Sequence, residues 1–594
     1  MTAQSMRRIL PIVDWLPSYG RTTLTRDSMA GLIVAIMLVP QGMAYALLAG
    51  LPPEVGLYAS IVPLVFYGLL GSSRALAVGP VAIVSLMVAT TLGEIIEAGS
   101  AGYLAGAVLL AFLSGAILLG MGLARLGFLV NFLSHPVISG FSSAAALVIG
   151  FSQLKHLLGF DIPRSHLITE TITHAATHIS QINAATFVIA VTSLAILLSF
   201  KSRIGPVLKS FGASAELSDA IAKAGPLVAV LLTTIAVWLF ALDQSGGVKI
   251  VADIPAGLPP LTLPNFDLAL IEQLLPAAAL IAFVGFLESV SVAKSLASKR
   301  RQKIDANQEL VALGAANIGA SLTGGYPVTG GFSRSLVNFT AGAVTPMASI
   351  ITAGLIAITV LFFTPLLYFL PKATLAAIIV VAVANLIDLK TLQHTWVYNK
   401  SDAASLIATF LAVLTLGVEI GIVVGAALSI VLYLWRTSRP HMAEVGRVGK
   451  TEHFRNVLRH EVQTDPKVLM VRVDESLYFA NTAFLEDQML AWVADRPEVD
   501  DLVLIMSAVN FIDASALETL ETLTERLRDA GVTLHMAEVK GPVMDRLERV
   551  GFTELLGQGQ IFLSTHDAMR MLCNAERTRQ GVQSTRHGIE ETQS

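Results

Sequence analysis

Three polar residues lie inside long apolar stretches of this 594-residue chain: Gln41, Glu288 and Arg334. A charged side chain at the centre of a lipid bilayer costs roughly 3 kcal/mol or more, so such a residue needs a partner or a function. The types are complementary, because one is a cation, one is a carboxylate and one is a neutral group that can both donate and accept hydrogen bonds. Together they predict a polar site within a membrane.

Arg334 follows a glycine- and proline-broken segment, GGYPVTGGFSRSL, that contains Pro327. A helix that restarts after such a break exposes backbone N–H groups and a positive dipole end, which bind anions. A second break, at Gly79–Pro80, would direct another helix start to the same point. These two starts, the guanidinium and the hydroxyls of Ser333 and Ser335 predict an anion site. The alternative is that Arg334 pairs with a carboxylate for structural reasons only.

Glu288 and Gln41 offer complementary chemistry. A carboxylate in a low-dielectric site can carry a coupling proton or bind sodium through its oxygens; alternatively, Glu288 is fixed permanently against Arg334 or a backbone amide. Gln41 avoids the cost of a charge, and Tyr45 lies one turn later on the same helical face. We predict that these two residues line the pocket, although Gln41 could instead join two helices by a hydrogen bond.

The elements that must position these residues are membrane-spanning helices, each of which needs about 20 mostly apolar residues. Charged residues make up about 10% of residues 1–440 and about 27% of residues 441–594, so a polytopic region precedes a soluble one. We predict fourteen spans, near residues 28–48, 55–71, 78–97, 102–124, 131–152, 184–200, 224–241, 270–293, 307–323, 329–345, 346–364, 373–388, 402–418 and 419–436. Lys and Arg concentrate in the loops that this count places inside, which predicts that both termini are cytoplasmic. We expect a multi-pass protein of the cell membrane, which in a bacterium is the inner membrane.

The spans form two halves. Gln41 and Pro80 are separated by 39 residues, and so are Glu288 and Pro327. Seven spans followed by seven would place the second copy upside down, as an inverted repeat, and matching broken segments in two halves indicate a transporter's binding site. The predicted domains are a cytoplasmic amino-terminal segment (1–27), a transmembrane domain (28–436, with repeats at about 28–241 and 270–436), a linker (437–465), a soluble domain (466–575) and a disordered tail (576–594).

The soluble domain reads as alternating strands and helices. Lys467–Val473, Asp501–Met506 and Val532–Ala537 are short apolar runs, and a helix with a leucine face precedes the third of them. This alternation predicts a parallel or mixed sheet. Asp513 is a good N-cap for that helix, which places Ser515 in the first turn, where a phosphate would be tolerated. The alternative is an ordinary serine at a helix start.

Composition excludes several functions. The net charge of −4 gives no support for a nucleic-acid partner. A single cysteine, Cys573, rules out an intramolecular disulfide and a cysteine-rich metal cluster. Walker, HExxH and GxSxG motifs are absent. We therefore expect no enzyme, no metal and no cofactor.

Several of these segments resemble the sulfate permease (SulP, or SLC26) family of anion transporters. The similarity runs from VPQGMAYALLAGLPPEVGLYAS through LAVGPVAIVSLMVA, LESVSVAKSLA and GGYPVTGGFSRSLVN to a carboxy-terminal STAS-like domain with FIDASALETL. The resemblance implies a fold of seven plus seven spans shared with uracil permeases, with a core domain and a gate domain. It also implies an anion held between the third and tenth spans, a homodimer, and elevator-like movement of the core.

Carried over to this chain, the resemblance implies family pocket positions at Gln41, Tyr45, Pro80, Val81, Ser333 and Arg334. Other members often have an aromatic residue in place of Val81. Glu288 matches the acidic residue associated with proton coupling, where sodium-coupled bicarbonate members tend to have Asp. Ser515 lies where anti-sigma-factor antagonists carry a phosphorylated serine, but Ala514 and Ala516 depart from their DSSG pattern.

The expected function is secondary transport of a small inorganic anion, namely sulfate entering with protons. The same fold could instead carry bicarbonate, a C4-dicarboxylate, chloride or nitrate, coupled to protons or sodium or by exchange. A different class of function is a membrane-anchored regulator in which the STAS-like domain signals, with or without a cytoplasmic protein partner.

Overall fold

The computed structural model describes residues 10–97, 99–132, 134–163, 168–212, 214, 218 and 221–573. The chain divides into two compact units, Met1–Ser429 and Ile430–Ser594, with the last spanning helix crossing the boundary. The predicted tail 576–594 lies outside the described residues. In the predicted amino-terminal segment, residues 1–9 also lie outside, and the first long helix already begins at Arg21.

The first unit is helical. Its helices are α1 (Ile12–Trp15), α2 (Arg21–Leu48), α3 (Pro53–Tyr58), α4 (Val62–Leu70), α5 (Ala82–Ile95), α6 (Ala101–Leu123), α7 (His135–Ser152), α8 (Leu154–Leu158), α9 (Ile168–Thr177), α10 (Ala184–Ser199), α11 (Gly205–Ser210), α12 (Gly225–Leu239), α13 (Leu242–Ser245), α14 (Leu268–Lys299), α15 (Ala306–Leu322), α16 (Phe332–Thr340), α17 (Met347–Phe362), α18 (Lys372–Val383), α19 (Leu389–Tyr398), α20 (Lys400–Leu416) and α21 (Val418–Thr437). Two short strands, β1 (Val78–Gly79) and β2 (Thr329–Gly330), precede α5 and α16. Each of the fourteen predicted spans coincides with one of these helices or, for the second span, with the pair α3 and α4. Within the described residues, eight helices are long and apolar enough to cross a membrane, and three more are apolar but shorter.

Helix packing shows the inverted repeat. The helix α2 packs on α17, and its repeat equivalent α14 packs on α6, the equivalent of α17. In the same way α7 packs on α20 while α18 packs on α10. The strands β1 and β2 pair antiparallel, so the chain runs in opposite directions through the two breaks. The two halves therefore have the same packing in inverted orientation.

The two breaks differ in one detail from the predicted repeat. Pro80 lies two residues before the start of α5, whereas Pro327 lies five residues before the start of α16. The equal spacing of 39 residues therefore does not place the two prolines at equivalent positions. The helix starts, which follow Val81 and Gly331, are the equivalent features.

The second unit contains a six-stranded mixed sheet with the order β4-β3-β5-β6-β7-β8. Its strands are β3 (Met442–Arg447), β4 (Phe454–Asn456), β5 (Val468–Val473), β6 (Asp501–Ile505), β7 (Thr533–Ala537) and β8 (Ile561–Phe562). Its helices are α22 (Thr482–Ala494), α23 (Ala514–Asp529), α24 (Gly541–Arg549) and α25 (Phe552–Leu555). The strands β5 to β8 are parallel, and β3 joins them antiparallel.

The segment 437–465 is more than the linker that we predicted, because it contributes β3 and β4 to this sheet. Neither strand is an apolar run, since β3 reads MAEVGR and β4 reads FRN. Pairing between strands, rather than local hydrophobicity, makes them strands, since β3 pairs with β5 and β4 pairs with β3. Of the predicted leucine face of α23, Leu520, Leu523 and Leu527 are fully buried, and Leu517 is half-buried against the same core.

Candidate anion-binding site

A small cavity of about 40 Å³ lies where both breaks meet α2 and α14. Its lining comprises Gln41, Tyr45, Val81, Ala82, Ile83, Glu288, Gly331, Phe332, Ser333, Arg334, Ala382, Val383 and Leu386. The structure thus brings together all the predicted site residues except Pro80 and Ser335. The Pro80 carbonyl nevertheless accepts a hydrogen bond from Arg334.

Two helix starts face this cavity. The helix α5 begins after Val81 and α16 begins after Gly331, and neither start has a side-chain cap. The first amides of a helix have no partner within the helix, and they carry its positive dipole end. The first two residues of each helix, Ala82 and Ile83 in one and Phe332 and Ser333 in the other, line the cavity. The wall is therefore positively polarised from two sides.

The guanidinium of Arg334 adds a full charge to this wall. The residue is only 2% exposed, and its Nη1 donates a hydrogen bond to the carbonyl of Pro80. Its Nε and Nη2 are buried and have no hydrogen-bond partner in the described part of the chain. Buried donors without partners are costly, so these two nitrogens are suited to an anion's oxygens.

Ser335, which we predicted to contribute a hydroxyl to the anion, does not face the cavity. Its Oγ accepts a hydrogen bond from the Ala77 amide at 2.9 Å and donates one to the Gly331 carbonyl at 2.7 Å. Successive residues of a helix point about 100° apart, so Ser333 faces the cavity and Ser335 faces the break preceding α5. Its role is to hold that break in place.

Glu288 and Gln41 complete the polar lining. One carboxylate oxygen of Glu288, Oε2, is buried and has no hydrogen-bond partner among the described residues. Gln41 Nε2 donates a hydrogen bond to the Tyr45 hydroxyl at 3.0 Å. The other amide atom, Gln41 Oε1, is buried and has no hydrogen-bond partner in the part of the chain that the structure describes. Neither Glu288 Oε2 nor Gln41 Oε1 is thus occupied by a structural hydrogen bond.

Sequence reasoning missed the apolar side of the cavity, which α18 and the turn after it supply through Ala382, Val383 and Leu386. These residues lie in the run AAIIVVAVANL, whose composition is the same as that of a lipid-facing helix. No sequence signal marks them, because only the packing of α18 beside α2 brings them to the site.

Larger cavities of about 200 Å³ and about 530 Å³ exist in the first unit. Neither is lined by Arg334 or by the first residues of α5 and α16. The smaller cavity is therefore the candidate site, because it alone among these three combines a buried cation with two uncapped helix starts.

In the second unit, Asp513 caps α23 as predicted, since its Oδ1 accepts a hydrogen bond from the Ala516 amide at 2.8 Å. Ser515 is exposed in the first turn. The position is accessible to modification, and its regulatory use stays a prediction.

Comparison with known proteins agrees with this architecture. Residues 24–409 match the model of the sulfate permease family, and residues 459–568 match the STAS domain. The chain belongs to the sulfate permease family. It is 39% identical to probable sulfate transporter 4.2 of Arabidopsis thaliana, over 95% of this chain and 83% of that protein. It is 34% identical to high affinity sulfate transporter 2 of Stylosanthes hamata, over 95% and 86% of the two chains.

The fold matches a solved structure of the murine solute carrier 26 family member A9 anion transporter in its inward-facing state. The TM-score is 0.88 at 26% identity, covering 96% of this chain and 95% of that one. The chain is therefore a multi-pass membrane anion transporter and not an enzyme. The two sulfate transporters above come from plants, so they give no support to our expectation of a bacterial inner membrane.

Proposed function

We propose that this protein transports sulfate together with protons, and that the cavity around Arg334 holds the anion. The observation that carries the proposal is that two guanidinium nitrogens, which have no hydrogen-bond partner within the described ranges, belong to a residue that lines one cavity with two uncapped helix starts. Sulfate presents acceptor oxygens in several directions, so it can accept from both helix starts and from the guanidinium at once. The names of the related sulfate transporters support the choice of sulfate.

Proton coupling is assigned to Glu288. Its carboxylate lines the proposed anion cavity, and one of its oxygens has no hydrogen-bond partner in the part of the chain that the structure describes. A proton on Glu288 would remove a negative charge from beside the anion, so binding of the two ions would be mutually favourable. This linkage is what a symporter requires.

The packing of the spans supports an elevator mechanism. Apart from the apolar side supplied by α18, the site is built on α2, α5, α14 and α16, which pack with one another. A second group, α7, α10, α18 and α20, packs largely among itself. Because the cavity lies between the two groups, movement of the first group against the second would carry the anion.

We also propose that the protein is a homodimer with both termini in the cytoplasm, where Arg21 and Arg26 precede the first span and Arg436 and Arg439 follow the last.

The test is uptake of ³⁵S-sulfate by the purified protein in liposomes. We expect accumulation when the side into which sulfate moves is alkaline, and loss of that accumulation when a protonophore collapses the gradient. Accumulation that follows a sodium gradient and ignores pH would contradict proton coupling.

A panel of unlabelled anions in the same assay decides the cargo. Competition by sulfate in preference to bicarbonate, C4-dicarboxylates, chloride and nitrate is expected. A folded protein that transports none of these anions would favour the membrane-anchored regulator instead.

A further inference from the structure

The helix α15 has no residue in the cavity, yet it holds both breaks that form the site. Backbone that leaves helical form at membrane depth must have its N–H and C=O groups satisfied by protein. Two buried polar residues of α15, Asn317 and Glu309, supply those partners on opposite breaks. Both are at most 1% exposed.

Asn317 holds the break before α16. Its Oδ1 accepts a hydrogen bond from the Val328 amide at 2.9 Å, and its Nδ2 donates to the Val328 carbonyl at 2.9 Å. The side-chain amide therefore satisfies both backbone groups of the residue that precedes β2. A neighbouring strand would provide the same pair of hydrogen bonds. The two bonds fix the position along α15 at which β2, and then α16, begin.

Glu309 holds the break before α5. Its Oε1 accepts hydrogen bonds from the Ser72 amide (2.8 Å), the Ser72 hydroxyl (2.7 Å) and the Ser73 amide (3.1 Å). Its Oε2 accepts one from the Tyr67 hydroxyl at 2.8 Å. Every bond is received by the carboxylate, so both of its oxygens are engaged by the chain that leads into β1.

From Ser73 the restraint continues to the anion site. The Ser73 hydroxyl accepts from the amides of Ala75 and Leu76, and β1 then pairs with β2. The next residue after β1 is Pro80, whose carbonyl receives Arg334 Nη1. A shift of Ser72 and Ser73 would therefore move the acceptor that orients the guanidinium.

We infer that Glu309 and Asn317 are positioning residues for the anion. They lie eight residues apart on one rigid helix, a separation of about 12 Å along its axis at 1.5 Å per residue. Through them α15 sets the distance between the two helix starts. The inference rests on the proposed anion site around Arg334.

The test compares the KM of ³⁵S-sulfate uptake with the melting temperature of the same full-length preparations. Asn317→Ala and Glu309→Ala should each raise the KM about tenfold, because the helix starts no longer converge, with little change in the maximal rate. Glu309→Gln should stay near the wild-type KM, since a Gln carbonyl oxygen can replace Oε1 and its NH2 can donate to the Tyr67 oxygen. If Asn317→Ala fails to fold, Asn317→Asp, which keeps only the acceptor for the Val328 amide, should give an intermediate KM.

The matched control is Thr352→Val. Thr352 is buried and donates to the Gly31 carbonyl at 3.0 Å, so it joins two helices without touching either break. Its loss should lower the melting temperature and leave the KM unchanged. If Asn317→Ala and Glu309→Ala behave in the same way as Thr352→Val while Arg334→Ala raises the KM, the positioning role is refuted and the anion site stands. An unchanged KM in Arg334→Ala would refute the site and this inference with it.

Discussion

The side chain of Arg334 combines a fixed orientation with unused binding capacity. One nitrogen is committed to the Pro80 carbonyl, and two others are buried without a hydrogen-bond partner among the described residues. A hydrogen bond to a charged group contributes about 1.5–3 kcal/mol, so Arg334→Ala should weaken sulfate binding roughly tenfold to a hundredfold. Arg334→Lys should recover little of this, because an ammonium cannot reproduce the planar guanidinium.

Equilibrium binding of ³⁵S-sulfate to purified protein measures the effect directly. Arg203→Ala removes an exposed arginine outside the site and serves as the control. Wild-type affinity in Arg334→Ala would exclude the guanidinium from the site.

A substitution at Glu288 tests proton coupling separately from sulfate binding. Glu288→Gln keeps the shape of the side chain but cannot exchange a proton, so uptake should no longer respond to a pH gradient. Exchange of internal for external sulfate should persist, because it needs no net proton movement. Proteoliposomes loaded with sulfate allow both to be measured.

A matched control lies on the same helix. Glu272 is exposed on α14, and Glu272→Gln should retain full pH dependence. Proton-driven accumulation by Glu288→Gln would assign the coupling proton to another group.

At the scale of elements, close approach of the two breaks depends on glycine. A methyl group on Gly331 would lie 3.0 Å from Arg334 Nη2 and 3.1 Å from its Cζ. Gly79 has φ +150°, a conformation that other residues rarely adopt, and lies beside the same guanidinium. Gly331→Ala should therefore push Arg334 from its place and raise the sulfate KM, while the helices themselves remain folded.

Uptake kinetics and circular dichroism together test this expectation. Gly354 on α17 has nothing within 4 Å of the added methyl group, so Gly354→Ala is the control with open space. A KM equal to that of wild type in Gly331→Ala would show that the guanidinium tolerates displacement.

At the scale of the whole molecule, the two helix groups must move past each other if the elevator proposal holds. The helix α21 packs on α20 of the second group, where Gly421 lies against Val413 and Gly425 against Thr409. Glu419 at the start of α21 accepts a hydrogen bond at 2.6 Å from Thr91 near the end of α5, one of the helices that build the site. The chain has a single cysteine, so a Cys573→Ser background allows a clean pair, Thr91→Cys with Glu419→Cys. Cross-linking the two cysteines with a short bifunctional thiol reagent should stop sulfate transport, and release of the cross-link should restore it. Sulfate binding should continue in the cross-linked protein.

Each single-cysteine variant treated with the same reagent controls for modification alone. Full transport by protein in which the bridge is complete would show that these two helices do not separate during the cycle.

Much of this architecture is readable from the chain because bilayer physics leaves few options. A segment that crosses the bilayer must satisfy its own backbone hydrogen bonds, so each predicted span coincides with a helix or a pair of helices. The helices α5 and α16 are shorter because each follows a break that is buried in protein. Intramembrane polar residues are rare and costly, which is why Gln41, Glu288 and Arg334 stood out and why they line one cavity. The strands β5, β6 and β7 were visible for a similar reason, as buried apolar runs.

Tertiary structure alone decided the rest, because those features depend on contacts between distant residues. Whether Ser333 or Ser335 faces the anion depends on the rotation of α16, and the contribution of Ala382 depends on where α18 packs. The strands β3 and β4 have little apolar character; β3 forms because β5 offers an edge to pair with, and β4 forms by pairing with β3. The hydrogen bonds of Asn317 to Val328 and of Glu309 to Ser72 and Ser73 also depend on the tertiary structure, since a polar residue in a sequence does not show which distant amide it will bind.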